Sequence, residues 1–244
     1  MQSLFSLYPT AQKYIWLALL IATAVNGLLL QGFGVARLLL LASILILWVW
    51  GVVLVRKRRV LSAGGIVAGL AVLGFLCLPG REVNPEQLRA VYTRSLRQYE
   101  GTRYVWGGES RLGIDCSGLV RQGLIDANLK LGASTLNPRP IRAALDRWWN
   151  DCSAKALQQG YRGFTQPLLQ AESINDITHP SLRAGDIAVI GEGVHVLAYL
   201  GSGKWIEAEP ADEVVIIGTP SQNAWFDRPV CVMRWRWLQG GDEG

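Results

Sequence analysis

No aspartate or glutamate occurs before Glu82, although Lys13, Arg37, Arg56, Lys57, Arg58 and Arg59 all do. The whole chain of 244 residues carries 24 Lys+Arg against 19 Asp+Glu, a formal net charge of +5. Setting those six bases aside leaves 18 basic against 19 acidic residues beyond residue 80. The surplus therefore belongs to the first third of the chain, and no nucleic-acid partner is expected. Histidine and cysteine are scarce, at two and four residues. Their spacing matches no metal-binding pattern, so neither a metal nor another cofactor is expected. A basic segment ahead of the first apolar run is also missing, which argues against a cleaved signal peptide.

The acid-free region contains three apolar runs, at about 14–30, 38–55 and 60–78. Each approaches the roughly 20 helical residues that cross a hydrocarbon core of about 30 Å. The first is the shortest and contains Asn26 and Gly27; Asn26 either bonds between helices or marks a marginal span. Arg56-Lys57-Arg58-Arg59 separates the second and third runs. Such compact basic loops stay cytoplasmic, which sends the third span outward and places the remainder of the chain beyond the membrane. The expected organisation is a membrane region over 1–80 and one further domain over 81–244.

In that domain, Asn84-Pro85-Glu86 reads as a helix start, with Leu88, Val91, Leu96 and Tyr99 along one face and Gly101 at the end. A second, largely buried helix is expected from Cys116 to about residue 127. The stretch 130–180 carries less pattern. A short helix over 141–149 follows Pro138 and Pro140, and the Trp148-Trp149 pair fits either a core cover or a cleft wall. From Leu182 the pattern changes to short strands at 187–190, 194–200, 205–208, 214–217 and 230–237, with Gly201-Ser202-Gly203 as a hairpin turn. The fold class is α+β, helices leading and an antiparallel sheet or small barrel following.

Cys116 sits where a helix begins, and exposed N–H groups there favour negative charge on its sulfur. A nucleophilic thiol needs a base, and His195 lies on a strand-like run downstream. Glu207 follows on the next strand, completing a Cys-His-acid order; Glu209, two residues on and on the same strand face, is the rival third member. Asp115 is expected to cap the helix. His179, before Pro180 in a loop, reads as a surface residue. Cys77 lies in an apolar run and reads as inert, while Cys152 and Cys231 are a candidate disulfide in an oxidising compartment.

Four motifs in order carry a resemblance: Tyr104-x-Trp106-Gly107-Gly108, Asp115-Cys116-Ser117-Gly118, Leu182-x-x-Gly185-Asp186 and Val194-His195-Val196. Over about residues 86–235 the chain resembles the NlpC/P60 family of papain-like cysteine peptidases. The resemblance implies a peptidoglycan endopeptidase that cuts amide bonds in the stem peptide, commonly between γ-D-glutamyl and a diamino acid. It implies Cys116 as nucleophile, His195 as base and Glu207 as the orienting residue. Tyr104 resembles the family tyrosine beside the nucleophile, and Trp106, Asp115 and Ser117 join it as expected substrate or oxyanion contacts. The apolar runs and the basic loop, which lie outside the resemblance, add the expected location: a bacterial cytoplasmic membrane, crossed several times, with the catalytic domain facing the periplasm or wall; stem peptides and the lipid bilayer are the expected partners. Two features depart from the pattern. The family's third position is usually His, Asn or Gln, and the segment 137–178 is longer than usual. The alternatives are a thiol acyltransferase or lipid-directed hydrolase, and a non-catalytic wall-binding module.

Overall fold

The computed structural model describes residues 9–29, 34–177, 180–220 and 224–239; His179 lies outside them. The chain divides into two units, Met1–Leu78 and Pro79–Gly244.

The first unit is built from α1 (Pro9–Leu29), α2 (Gly34–Leu54) and α3 (Arg59–Cys77). Among the described residues, α2 and α3 are long and apolar enough to cross a bilayer. Their 21 and 19 residues give lengths of about 30 Å. Polar side chains within this unit bond to backbone carbonyls: Asn26 Nδ2 donates to Ala36 O at 3.2 Å and Trp16 Nε1 to Leu47 O at 2.9 Å. Asn26 thus takes the interhelical role, which satisfies an amide that hydrocarbon would leave unsolvated.

The second unit opens with α4 (Pro85–Arg97), whose Asn84 cap accepts the N–H groups of Glu86 and Gln87 at 2.9 and 3.1 Å. A two-stranded ribbon, β1 (Glu109–Ser110) and β2 (Gly113–Ile114), leads into α5 (Cys116–Thr135). Next come α6 (Pro138–Trp149) and α7 (Ala154–Gln158), then strands β3 (Thr165–Ala171), β4 (Ile187–Ile190), β5 (His195–Gly201), β6 (Lys204–Glu209), β7 (Val214–Gly218) and β8 (Val230–Trp235). The last six form one antiparallel sheet in the order β3-β8-β4-β5-β6-β7. Helices precede an antiparallel sheet, the α+β arrangement expected.

Several boundaries differ from expectation for physical reasons. Helix α5 runs two turns further than 127: its first three turns are buried on nearly every side, while its last two bury Asn128, Leu131 and Gly132 and expose Leu129, so no single apolar stripe marks its length. Helix α6 starts at Pro138 rather than 141. Asn137 caps it, accepting the N–H of Arg139 at 3.2 Å, and both prolines fall in the first turn, where a missing N–H costs nothing. Strand β3 escapes a sequence reading because Pro167 sits beside a register shift on the sheet's edge, where proline is tolerated. The final strand stops at Trp235 and gives way to a turn of 3-10 helix. Neither tryptophan of the Trp148-Trp149 pair lines the cleft described below; Trp148 is half-buried and Trp149 is 46% exposed.

The main core lies between α4, α5 and one sheet face, where Leu88, Leu96, Leu119 and Leu124 meet Val189, Val196, Ile206 and Met233. A smaller cluster on the other face holds Ala188, Leu197, Trp205 and Phe226. Burial on both faces explains the unbroken apolar run of β4. Close approach of α4 to α5 depends on Gly123: a Cβ there would lie 2.6 Å from Leu96 Cδ2. The Gly185-Asp186 turn anchors the sheet. Asp186, fully buried, accepts the Arg183 N–H at 2.7 Å and receives Arg234 through Nε and an Nη at 2.7 and 2.8 Å.

Candidate active site

The site assembles around the start of α5. Asp115 caps the helix with Oδ1, accepting the Gly118 N–H at 2.6 Å and the Ser117 hydroxyl at 3.1 Å. Its Oδ2 accepts the Gly107 N–H at 2.9 Å. One carboxylate thereby ties the Gly-rich turn to the helix end that presents Cys116. The packing tolerates no side chain at Gly118, since a Cβ would come within 2.4 Å of Gly108 O. The backbone N–H of Tyr104 donates to Glu213 O at 2.7 Å, which fixes this residue beside the start of β7.

Cys116 is 9% exposed, and His195 and Glu207 are each 1% exposed. His195 Nε2 lies 2.7 Å from Glu207 Oε2. That bond occupies Nε2 and leaves Nδ1 as the ring edge toward Cys116, with which the imidazole also hydrogen-bonds. Burial alone would push the imidazolium toward deprotonation, but the hydrogen bonds and negative charge of Cys116 and Glu207 outweigh it. The His195 pKa is raised to about 9, so the ring is cationic at neutral pH. Glu209 does not take the place of Glu207: its Oε1 accepts the Ala211 N–H at 2.9 Å. Half-buried Tyr104 is pushed up to about 12, first by desolvation and then by the charges of Cys116, Asp115 and Glu209, and it keeps its hydroxyl proton.

A cleft of about 230 Å³ opens over Cys116, lined by Tyr104, Trp106, Asp115, Ser117, Gly193 and Val194 together with Asp151 and Cys152. Larger hollows of about 430 and 420 Å³, beside Trp237 and Cys231, lack a thiol paired with an imidazole, so chemistry rather than size selects the smaller one. The structure thus brings Tyr104, Trp106, Asp115, Cys116 and Ser117 to one cleft, with His195 and Glu207 buried behind the thiol.

Sequence reading misses three contributors. Trp225 stacks on the His195 ring, with centroids 4.4 Å apart and planes at 24°; it precedes β8 in a loop with no motif. Arg121, five residues into α5, is buried and pairs with both Glu109 and Asp151. The α6–α7 turn carries Asp151 and Cys152 into the cleft wall, so part of the long segment 137–178 builds the site. Cys152 and Cys231 are free thiols, against the candidate disulfide. Burial raises the pKa of both; the Arg121 charge partly opposes this at Cys152. Cys231 Sγ instead lies 3.5 Å from Met233 Sδ, the next inward position on the same strand.

The chain matches the NlpC/P60 family over residues 101–234, more than half its length. No curated protein matches it. Solved structures similar to it include the NlpC/p60 domain of the peptidoglycan hydrolase SagA, at 26% identity over 62% of this chain and 98% of that one, with a TM-score of 0.37. The peptidoglycan hydrolase RipB from Mycobacterium tuberculosis is 22% identical over 61% of this chain and 65% of its own, TM-score 0.39. RipD from the same organism, described as a non-catalytic NlpC/p60 domain protein adapted to peptidoglycan binding, is 18% identical over 59% and 96%, TM-score 0.37. With the family's motifs gathered at the head of α5 and on β5, this chain belongs to the NlpC/P60 family.

Proposed function

We propose that the chain is a membrane-anchored cysteine endopeptidase that hydrolyses amide bonds in peptidoglycan stem peptides. The observation that carries this reading is the buried His195–Glu207 pair, 2.7 Å apart, behind a thiol at a helix N-terminus. Cys116 sulfur attacks the substrate carbonyl. The N–H groups of Cys116 and Ser117, which precede the two that Asp115 engages through its side chain and carbonyl, stabilise the tetrahedral oxyanion. Such a donor contributes about 3 kcal/mol in comparable enzymes. His195 gives its Nδ1 proton to the leaving amine, and the C–N bond breaks to leave a thioester on Cys116. Water, deprotonated by the now neutral imidazole, attacks that thioester and releases the carboxylate and the thiol.

Glu207 holds the ring in one tautomer and stabilises its cation, as an acidic third residue does in other triads. Tyr104, Trp106, Asp115 and Ser117 shape the cleft in which the stem peptide lies. The basic loop Arg56–Arg59 is retained in the cytoplasm, so the second unit meets the wall from the outer side of the cytoplasmic membrane.

Mass spectrometry of the full-length protein, quenched during turnover of muropeptides, tests the chemistry. The expected adduct on Cys116 is a peptide fragment. A fatty acyl adduct would transfer the site to lipid chemistry, and retained peptidoglycan binding with no adduct and no alkylation of Cys116 would make the domain a binding module.

A further inference from the structure

The two carboxylates of β6 have unequal partners. The β5–β6 register pairs Ala198 with Ile206; carried three residues along, it sets Glu209 opposite His195, with Glu207 beside it on the same strand face. One ligand atom from each of His195, Glu207 and Glu209 lies within 4.8 Å of the others. All three residues are at least nine-tenths buried, Glu209 at 4% exposure. Glu209 Oε1 is held by the Ala211 N–H, whereas its Oε2 is buried without a hydrogen-bond partner. A desolvated carboxylate oxygen without a partner is costly, and its carboxylate lies in the same cluster as an imidazole already bonded to Glu207.

We propose that His195, Glu207 and Glu209 form a site for one divalent cation of the zinc class, and that its binding silences the thiol centre. One imidazole nitrogen and two carboxylate oxygens make a three-ligand set that leaves a fourth position open. The imidazole favours zinc-like ions over magnesium or calcium. Ligand atoms around zinc at about 2.0–2.2 Å sit roughly 3.5 Å apart, so side-chain rotation within the cluster is enough to close it. The cation takes the place of the proton between Nε2 and Glu207 Oε2. With the cation on Nε2, the ring could give up its Nδ1 proton only by becoming an imidazolate, so His195 no longer serves Cys116 and the leaving amine as an acid. The spacing of histidines and cysteines could not show such a site, because two of its three ligands are glutamates on a neighbouring strand. Cation binding stands on the geometry alone; the silencing rests on the peptidase reading.

The test is competition for Zn²⁺ between the full-length chain in detergent and a chromogenic chelator. The expected result is one tight equivalent that persists in Cys116→Ala. Glu209→Gln should weaken it by more than the roughly 10–100-fold that changes outside the ligand shell cost. Glu209→Asp, with folding checked by circular dichroism, provides a second variant and should weaken it less. Absence of a tight equivalent overturns the site. So does binding that is lost in Cys116→Ala but kept in Glu209→Gln, which would place zinc between the thiol and the imidazole. Stoichiometric zinc binding by a chain that still cleaves no stem peptide once zinc is stripped with EDTA would leave the site standing and remove the peptidase reading, whereas cleavage undiminished by stoichiometric zinc would overturn the silencing alone.

Discussion

Replacing Glu207 with glutamine separates the two tasks assigned to that residue. The amide oxygen still accepts a hydrogen bond from His195 Nε2, so the ring keeps its tautomer, but the negative charge is gone. In the native protein the His195 pKa rises from 6.5 to about 9 despite burial, through Cys116 and Glu207. Glu207 is one of the two groups behind that rise, so Glu207→Gln lowers the alkaline limb of kcat/KM, by on the order of one pH unit. Activity near pH 6 then stays within about tenfold of the wild type, because the imidazolium is still populated there. Glu207→Ala removes the acceptor as well and should cost far more at every pH. The same linkage affects stability. A raised pKa means that the folded state binds the proton more tightly, so the stabilisation is complete below pH 6.5 and is lost as pH rises through about 9. That loss is on the order of 3 kcal/mol for a buried group, and it shrinks in Glu207→Gln. The assays are hydrolysis of a muropeptide and alkylation of Cys116 by iodoacetamide, each followed from about pH 5 to 10, with urea unfolding at matched pH. Superimposable pH profiles for wild type and Glu207→Gln would refute the electrostatic role. Equal losses in Glu207→Gln and Glu207→Ala would refute the orienting one.

Three further outcomes follow from the packing. Trp225→Ala uncovers the His195 ring and should lower kcat about tenfold with little change in KM, while Trp225→Phe retains most activity because an aromatic face remains; steady-state kinetics separates the two. Asp115→Ala removes three hydrogen bonds from the head of α5. It should destabilise the chain by about 2 kcal/mol, measured by urea unfolding, and slow alkylation of Cys116. Asp186→Ala leaves Arg234 without its buried carboxylate and should cost about 3–5 kcal/mol, seen as a lowered Tm.

What can be read in advance is local. The apolar runs around α2 and α3 are continuous. Asn84 and Asp115 each stand directly before the helix they cap, β4 and β5 are short apolar stretches bounded by glycines, and β6 follows the Gly201-Ser202-Gly203 turn. Cys116, His195 and Glu207 stand out by motif and strand position, but their mutual distance depends on the pairing of β5 with β6, which no local pattern encodes. Non-local features are illegible for the same reason. Trp225 reaches His195 from a loop two strands further along the chain, Asp151 meets Arg121 only through the docking of α6 on α5, and the edge strand β3 hides behind Pro167. In α5 the buried positions of the last turns include Asn128 and Gly132 while Leu129 is exposed, so apolarity does not track burial and gives no helix length, and Asn137 is a cap concealed by the two prolines after it.

Amide hydrolysis of stem peptides by Cys116 is the step on which the proposed function stands. Full-length wild-type and Cys116→Ala proteins, incubated with purified muropeptides and followed by mass spectrometry and amine labelling, test it most directly. The expected result is new amine ends within the stem peptide, one water gained per bond cut, and no turnover in Cys116→Ala. Equal cleavage by both proteins, or none by a wild-type chain whose Cys116 still reacts with iodoacetamide, would contradict it.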